Sequence, residues 1–174
     1  MDKANGTGST PAAPRREFLI LAAGAATANA LPGYVAGGGA IKVGVIGCGG
    51  RGEAAAMNAM NAGKDIRIVA MADIRLDRVQ EKRSALKLRY PEQVAVDDNH
   101  CFKGFDAYQR VIESSDVVII ANAAKFHPLH LKAAIEAGKH VFVEKPHAID
   151  PHGIQTVRAA VELAGLLLHL LPQR

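Results

Sequence analysis

The sequence predicts a doubly wound α/β domain built on a parallel sheet. From residue 41 onward, short apolar runs alternate with segments of helical periodicity, and such alternation is typical of βαβ units. The apolar runs are almost unbroken, as expected for parallel strands that are buried on both faces. Glycines and prolines delimit the segments: Pro128 precedes and Gly138 follows one predicted helix. A chain of 174 residues has room for one such domain.

The predicted elements alternate along the chain. The predicted strands cover residues 41–46, 66–72, 94–96, 116–121 and 139–143. The predicted helices cover residues 53–62, 75–89, 105–113, 128–137 and 151–164. Residues 166–171 are apolar enough for a sixth strand, so the domain is expected to span residues 41–171.

The composition is typical of a globular domain and disfavours several other classes of protein. Apolar residues make up 49% of the chain and aromatic residues only 5%, which predicts an aliphatic core. The net charge of +4 is too small to favour nucleic-acid binding. Cys48 and Cys101 lack the paired spacing of a metal site. Because glycines and prolines interrupt the apolar runs, no stable membrane insertion is expected.

Residues 1–40 are predicted to be a signal peptide followed by a flexible linker. Arg15 and Arg16 precede the apolar stretch 20–28, and residues 28–30 (Ala-Asn-Ala) have the small-residue pattern of a cleavage site. The arginine pair resembles a twin-arginine signal, which implies export to a bacterial periplasm. The alternative is an apolar N-terminal helix that packs on the domain.

A glycine-rich loop follows the first predicted strand. Gly47, Gly49 and Gly52 match the pattern Gly-x-Gly-x-x-Gly, with Gly50 and Arg51 between the last two. In this pattern the first glycine permits a tight turn, the second lets a pyrophosphate approach the main chain, and the third lets the helix pack closely. The N-terminus of the following helix offers free N–H groups to phosphates. Strand, loop and helix together predict a Rossmann-like dinucleotide-binding domain.

An acidic residue ends the second predicted strand. Asp73 lies roughly 20 residues beyond Gly52, where an acid accepts hydrogen bonds from the adenosine ribose. A carboxylate there also repels a 2′-phosphate, so NAD is expected as the cofactor, with NADP as the alternative. Arg75 would weaken the preference for NAD by pairing with such a 2′-phosphate. The alternative for Asp73 is a helix N-cap.

The tripeptide Glu144-Lys145-Pro146 follows the fifth predicted strand. It is therefore expected at the carboxyl edge of the sheet, where ligands bind in doubly wound folds. Its two charges adjoin a buried run, where a charge is unfavourable unless it is paired or used. A lysine beside a nicotinamide can polarise or protonate a substrate oxygen during hydride transfer. The alternative is a strand that ends in charged residues before a proline turn.

Together these motifs resemble the N-terminal domain of the Gfo/Idh/MocA family, which includes glucose-fructose oxidoreductase and inositol dehydrogenase. The resemblance extends from Ile41 to about Ala164. It rests on the segments 47–52 (GCGGRG), 71–74 (MADI), 105–121 (FDAYQRVIESSDVVIIA) and 133–146 (AAIEAGKHVFVEKP), with Asp150 shortly after.

The resemblance implies a place for each part of a dinucleotide. The glycines would hold the pyrophosphate and Asp73 the ribose, while Ala121 and Asn122 would line the path from adenine to nicotinamide. Lys145 is the expected catalytic residue, and Pro146 would shape its turn through a cis bond. The full set of expected cofactor-binding residues is Gly47, Gly49, Gly50, Arg51, Gly52, Asp73, Arg75, Ala121, Asn122, His127, Glu144, Lys145 and Pro146.

His127 falls near the position of a histidine that is common in the family. It is expected either to contact the cofactor or substrate, or to cap the helix that begins at Pro128. The chain departs from the family pattern nearby, since Ala123 and Ala124 stand where a proline is usual.

The family also has a second α/β domain, which holds the substrate pocket. This chain ends at Arg174, and residues 172–174 read as a truncated tail, so that second domain is expected to be absent. We therefore expect the cofactor half of an NAD(P)-dependent oxidoreductase acting on a sugar or polyol. This half is expected to be inactive alone, and the full-length enzyme to be a homo-oligomer. The alternatives are a non-catalytic dinucleotide-binding module and an inactive fragment.

Overall fold

The structure, a computed structural model, describes residues 39–164. The expected signal peptide, most of the linker, the sixth strand and the tail lie outside the described residues. The strands are β1 (Ile41–Ile46), β2 (Ile66–Asp73), β3 (Cys101–Lys103), β4 (Val117–Ile120) and β5 (His140–Val143). The helices are α1 (Gly50–Ala62), α2 (Leu76–Arg89), α3 (Ala107–Ser114), α4 (His127–Glu136) and α5 (Pro151–Ala164). Short 3-10 turns lie at Asp98–His100 and Ala124–Phe126.

The five strands form one parallel sheet in the order β3-β2-β1-β4-β5. The chain places β2 and β3 on one side of β1, then returns to place β4 and β5 on the other side. This order confirms the predicted doubly wound parallel fold. Because the winding reverses between β1 and β4, the helices that follow these two strands lie on opposite faces, which leaves a crevice at their carboxyl ends.

The sheet separates two apolar clusters, one on each face. Val45 belongs to the cluster beneath α1 and α2, whereas the next residue, Ile46, belongs to the cluster beneath α3, α4 and α5. The core is mainly aliphatic, as the composition predicts. Small residues occupy several of its most buried positions: Ala70 on β2 and Ala134 on α4 are each 0% exposed. These alanines allow the helices to pack close to the sheet.

The predicted third strand at 94–96 is wrong. Strand β3 lies at Cys101–Lys103, and Val94 forms only an isolated parallel bridge with Ile68. Val94 and Val96 are apolar because they are buried in the core, with 2% and 1% exposure, not because they belong to a strand. After this bridge, a 3-10 turn redirects the chain, which then returns to pair with β2.

Two helix starts are fixed by identifiable groups. Helix α1 begins at Gly50 rather than at the predicted residue 53, because the Glu53 N–H already donates to the Gly49 carbonyl at 3.0 Å. At α5, the Asp150 side chain accepts a hydrogen bond from the Gly153 N–H at 2.7 Å and so satisfies a first-turn donor. Within residues 39–164, none of the helices is both long and apolar enough to cross a lipid bilayer.

Substitution of Leu131 by Ala should destabilise the domain strongly. Leu131 lies on α4 with 0% exposure in the cluster shared with the sheet, and truncation there leaves a cavity. We expect the free energy of unfolding in urea to fall by about 2–5 kcal/mol. Leu129 on the same helix is 53% exposed, so Leu129→Ala is the matched control and should change stability by less than about 1 kcal/mol. Equal losses for the two variants would contradict this account of the core.

Candidate functional site

The carboxyl ends of four strands meet at one edge of the sheet. Ile46 at the end of β1 is paired with Ala72 on β2 and with Ile120 on β4, and Ile120 is paired with Val143 on β5. The residues that follow these positions therefore converge, namely the glycine loop, Asp73, Ala121 with Asn122, and Glu144 with Lys145. Segments that are far apart in the sequence thus form one candidate site.

Two glycines of the loop are required by the packing of the protein itself. Gly47 has φ +97°, and a Cβ on it would lie 2.5 Å from the Asn122 nitrogen. A Cβ on Gly52 would lie 1.8 Å from the Gly47 carbonyl oxygen. The loop therefore sits directly against the end of β4, and α1 starts directly against the loop.

Gly49 and Gly50 have no such constraint. A Cβ on either residue would meet nothing within 4 Å. Both residues lie at the start of α1, where unpaired N–H groups and the helix dipole favour an anion. The loop is therefore open on the side from which a phosphate group would approach its main chain.

The carboxylate of Asp73 is held between the glycine loop and the end of β2. One oxygen accepts a hydrogen bond from the Cys48 N–H at 2.9 Å, and the other accepts one from the Arg75 N–H at 3.2 Å. The side chain is 7% exposed. Asp73 is not the N-cap of α2, because Arg75 occupies that position. The carboxylate is thus already oriented at the rim of the crevice.

The two arginines near Asp73 have different partners. Arg75 pairs with Asp77, and this contact raises the pKa of Arg75 and lowers that of Asp77. Arg78, one turn into α2, places its guanidinium 3.7 Å from an Asp73 carboxylate oxygen. The sequence pattern indicates Arg75 but not Arg78, although the helical spacing of α2 also places Arg78 near the end of β2.

Aromatic side chains form one wall of the cleft between the end of β2 and the loop after β4. Phe105 and Phe126 have ring centroids 5.9 Å apart, and the His130 ring stacks on Tyr108 at 4.2 Å. Phe105 is 69% exposed and so presents much of its ring to the cleft and to solvent. The composition gives no sign of this wall, because it combines residues 105–108 with residues 126–130.

Asn122 and His130 form a polar pair at the back of this cleft. The Asn122 side-chain nitrogen lies 3.1 Å from Nδ1 of His130. The Asn122 side-chain oxygen is buried and has no hydrogen-bond partner among the described residues. A buried acceptor of this kind is rare in a folded protein and fits a site that a ligand completes.

His127 is buried below the cleft with 1% exposure. Its Nδ1 lies 2.9 Å from the Pro146 carbonyl oxygen and its Nε2 lies 3.0 Å from the Asn122 carbonyl oxygen. It does not cap α4, since Phe126 is the N-cap residue. Its predicted contact with a cofactor or substrate stays a prediction; in the structure both ring nitrogens face main-chain oxygens.

The turn after β5 carries both a buried and an exposed charge. Glu144 is 6% exposed at its side chain and forms an ion pair with Arg51 of α1 at 2.8 Å. This ion pair crosses the end of β4. Because Glu144 is paired with a cation, its buried carboxylate is tolerated at this position. Lys145 is exposed, and the bond between Lys145 and Pro146 is cis, as predicted.

The two cysteines are both free thiols. Cys48 is buried inside the glycine loop, where its Sγ lies 3.4 Å from the Ala72 carbonyl oxygen. Burial and the neighbouring Asp73 raise the pKa of this thiol. Cys48 is therefore a packing residue of the loop and not a nucleophile.

Acidification should destabilise the domain through His130. Burial, with a smaller electrostatic contribution from the neighbouring His127, lowers the pKa of His130 from 6.5 to about 4. As the pH falls below 6.5, the unfolded chain therefore binds this proton first, and stability is lost until the folded ring also protonates near pH 4. The free energy of unfolding, measured in urea at pH 7 and pH 5, should fall more for the wild type than for His130→Gln. An identical pH dependence in both proteins would show that His130 does not contribute.

Known proteins share this fold and these motifs. A family model described as an oxidoreductase family with an NAD-binding Rossmann fold, GFO_IDH_MocA, matches residues 41–171. An inositol 2-dehydrogenase of Klebsiella pneumoniae is 31% identical over 127 residues, which cover 72% of this chain and 34% of that protein. A glycosyl hydrolase family 109 protein of Solibacter usitatus is 32% identical over 114 residues, which cover 63% of this chain and 25% of that protein.

Solved structures are also similar to this chain. The 3-ketoreductase KijD10 of Actinomadura kijaniata, in complex with NADP, superposes with a TM-score of 0.55 and 29% identity, covering 74% of this chain and 37% of that chain. This chain thus spans about a quarter to a third of the length of the curated relatives named above. The match includes the glycine loop, Asp73 and the turn with Lys145. The chain therefore belongs to the Gfo/Idh/MocA oxidoreductase family, of which it contains the NAD-binding Rossmann domain.

Proposed function

We propose that this chain is the cofactor domain of an NAD(P)-dependent oxidoreductase that acts on a hydroxyl-bearing carbon of a sugar or polyol. The observation that carries the proposal is the carboxyl edge of the sheet, where the open side of the glycine loop faces the fixed carboxylate of Asp73. The names of two relatives support the substrate class, since one is an inositol 2-dehydrogenase and another a glycosyl hydrolase family protein.

The described residues fit a dinucleotide. The start of α1 at Gly49 and Gly50 would take the pyrophosphate, because added Cβ atoms there meet open space. Asp73 would accept hydrogen bonds from the adenosine ribose. The aromatic wall around Phe105 offers a stacking surface for a base, and the unpartnered oxygen of Asn122 supplies an acceptor inside the cleft.

The nicotinamide end would lie beside the turn after β5. A bound nicotinamide accepts or supplies a hydride, and the protein must then accept or supply the proton of the substrate oxygen. Lys145 follows Glu144 at this edge and is exposed, so its amine would be available to exchange that proton. The ion pair with Arg51 balances the negative charge of Glu144 next to Lys145.

Replacement of Asp73 by Ala should weaken the binding of NAD. Because Asp73 is held in place by two main-chain N–H groups, its loss removes charge-assisted hydrogen bonds worth about 1.5–3 kcal/mol, or roughly 10- to 100-fold in affinity. Calorimetric titration with NAD measures this change. Asp65→Ala is the matched control, because Asp65 is exposed and immediately precedes the opposite end of β2. A wild-type protein that is folded but binds neither NAD nor NADP would overturn the proposal.

Arg78 should matter more for NADP than for NAD. Its guanidinium lies beside Asp73, whereas Arg75 is occupied by Asp77. We expect wild-type protein to prefer NAD, and Arg78→Ala to lower the affinity for NADP by about tenfold with little change for NAD. Arg75→Ala is the control and should leave both affinities nearly unchanged. If Arg75→Ala instead produces the selective loss, the contacts seen in the structure do not describe the nucleotide-bound protein.

A further inference from the structure

Strands β4 and β5 are followed by two segments that both reach the nicotinamide end of the proposed site. The Glu144 N–H still donates to the Ile120 carbonyl at 2.9 Å, continuing the ladder between the strands by one bond. Beyond that bond, one segment continues through Asn122 and the other through Lys145 and Pro146. His127 contacts the main chain of both segments.

The ring of His127 is a rigid bridge between two groups that only accept hydrogen bonds. Its nitrogens lie 2.9 Å from the Pro146 oxygen and 3.0 Å from the Asn122 oxygen. Because both partners only accept hydrogen bonds, the ring links the two segments only when both of its nitrogens carry a hydrogen; a singly protonated ring donates to one segment and leaves the other without a donor. Since the imidazole is planar and does not change its length, these contacts fix the separation of the two segments.

The burial of His127 indicates that its two polar contacts have a role beyond packing. At 1% exposure the position is as enclosed as the neighbouring apolar core, and an apolar residue of similar volume would pack there without a need for partners. With such a residue the carbonyls of Asn122 and Pro146 would lose their donor. If only packing matters at this position, the protein should tolerate Phe there. If the hydrogen bonds matter, Phe should disturb the two segments locally.

We propose that His127 is a positioning residue, which holds the loop of Asn122 and the turn of Lys145 at the spacing that a nicotinamide ring requires. The inference rests on the proposed function. It assigns His127 no contact with the ligand: the ring acts through the main chain of the two segments. Its influence should accordingly be confined to the nicotinamide half of the site and leave the adenosine half, which is built from β1, β2 and the glycine loop, unchanged.

The test compares two ligands on the full chain by calorimetric titration. NAD carries the nicotinamide ring, and ADP-ribose lacks it but retains the adenosine, both phosphates and both riboses. For His127→Phe, we expect the ratio of NAD affinity to ADP-ribose affinity to fall by about tenfold, while the ADP-ribose affinity stays within about twofold. His127→Gln, which restores an N–H donor, should recover part of the ratio. Lys132→Ala, on the exposed side of the same helix, should change neither affinity.

The outcomes separate this inference from the function on which it rests. An unchanged ratio in His127→Phe, or a parallel loss for both ligands, would overturn the positioning role alone. Binding of neither ligand by the wild type would overturn the proposed function and this inference with it. If both variants fail to fold, the unmodified protein still decides the question by NMR. A scalar coupling across a hydrogen bond should connect each ring nitrogen of His127 to the carbonyl carbon of its own partner, Asn122 or Pro146, and the absence of either coupling would refute the bridge.

Discussion

The candidate site depends on how closely the glycine loop approaches the end of β4. Gly47 lies so near the main chain of Asn122 that a single added carbon would collide with it, and Gly52 lies even closer to the Gly47 carbonyl. These two approaches bring the start of α1 over the point where the sheet reverses its winding. Everything else in the site is arranged around that helix start: Asp73 bonds to the loop from one side, and Glu144 reaches α1 through Arg51 from the other.

Motifs that are local in the sequence were predictable, and the structure places them together. The glycine loop, Asp73 and the turn at Lys145 each follow a strand, and parallel strands bring their carboxyl ends to the same edge. The predicted helices match the structure in order and nearly in extent. The predicted strand at 94–96 failed because burial alone makes Val94 and Val96 apolar, and a short apolar run does not reveal whether it is paired.

Contacts between distant segments were not predictable in the same way. Arg78 is not apparent from the sequence, because its place beside Asp73 depends on the angle at which α2 leaves β2, whereas Arg75 is nearer to Asp73 along the chain. His127 and His130 carry no sequence pattern that distinguishes a bridge between carbonyls from a stacked ring in a cleft, yet the structure gives them these two separate environments. The aromatic wall likewise exists only after β3, α3 and the loop after β4 have been assembled.

The buried alanines determine how this domain can change during evolution. Positions such as Ala70 and Ala134 have no exposed surface, so a larger side chain there must displace a helix from the sheet at a cost of about 1–3 kcal/mol. Substitutions that enlarge one face of the sheet therefore need a compensating reduction nearby, and the small residues should be inherited as coordinated sets. The two faces belong to separate clusters, so each can drift on its own, provided that the strands between them keep their register. The surface that remains free to diverge is the outer side of the helices, where related domains of this architecture can acquire different neighbours without disturbing the cleft at the carboxyl edge of the sheet.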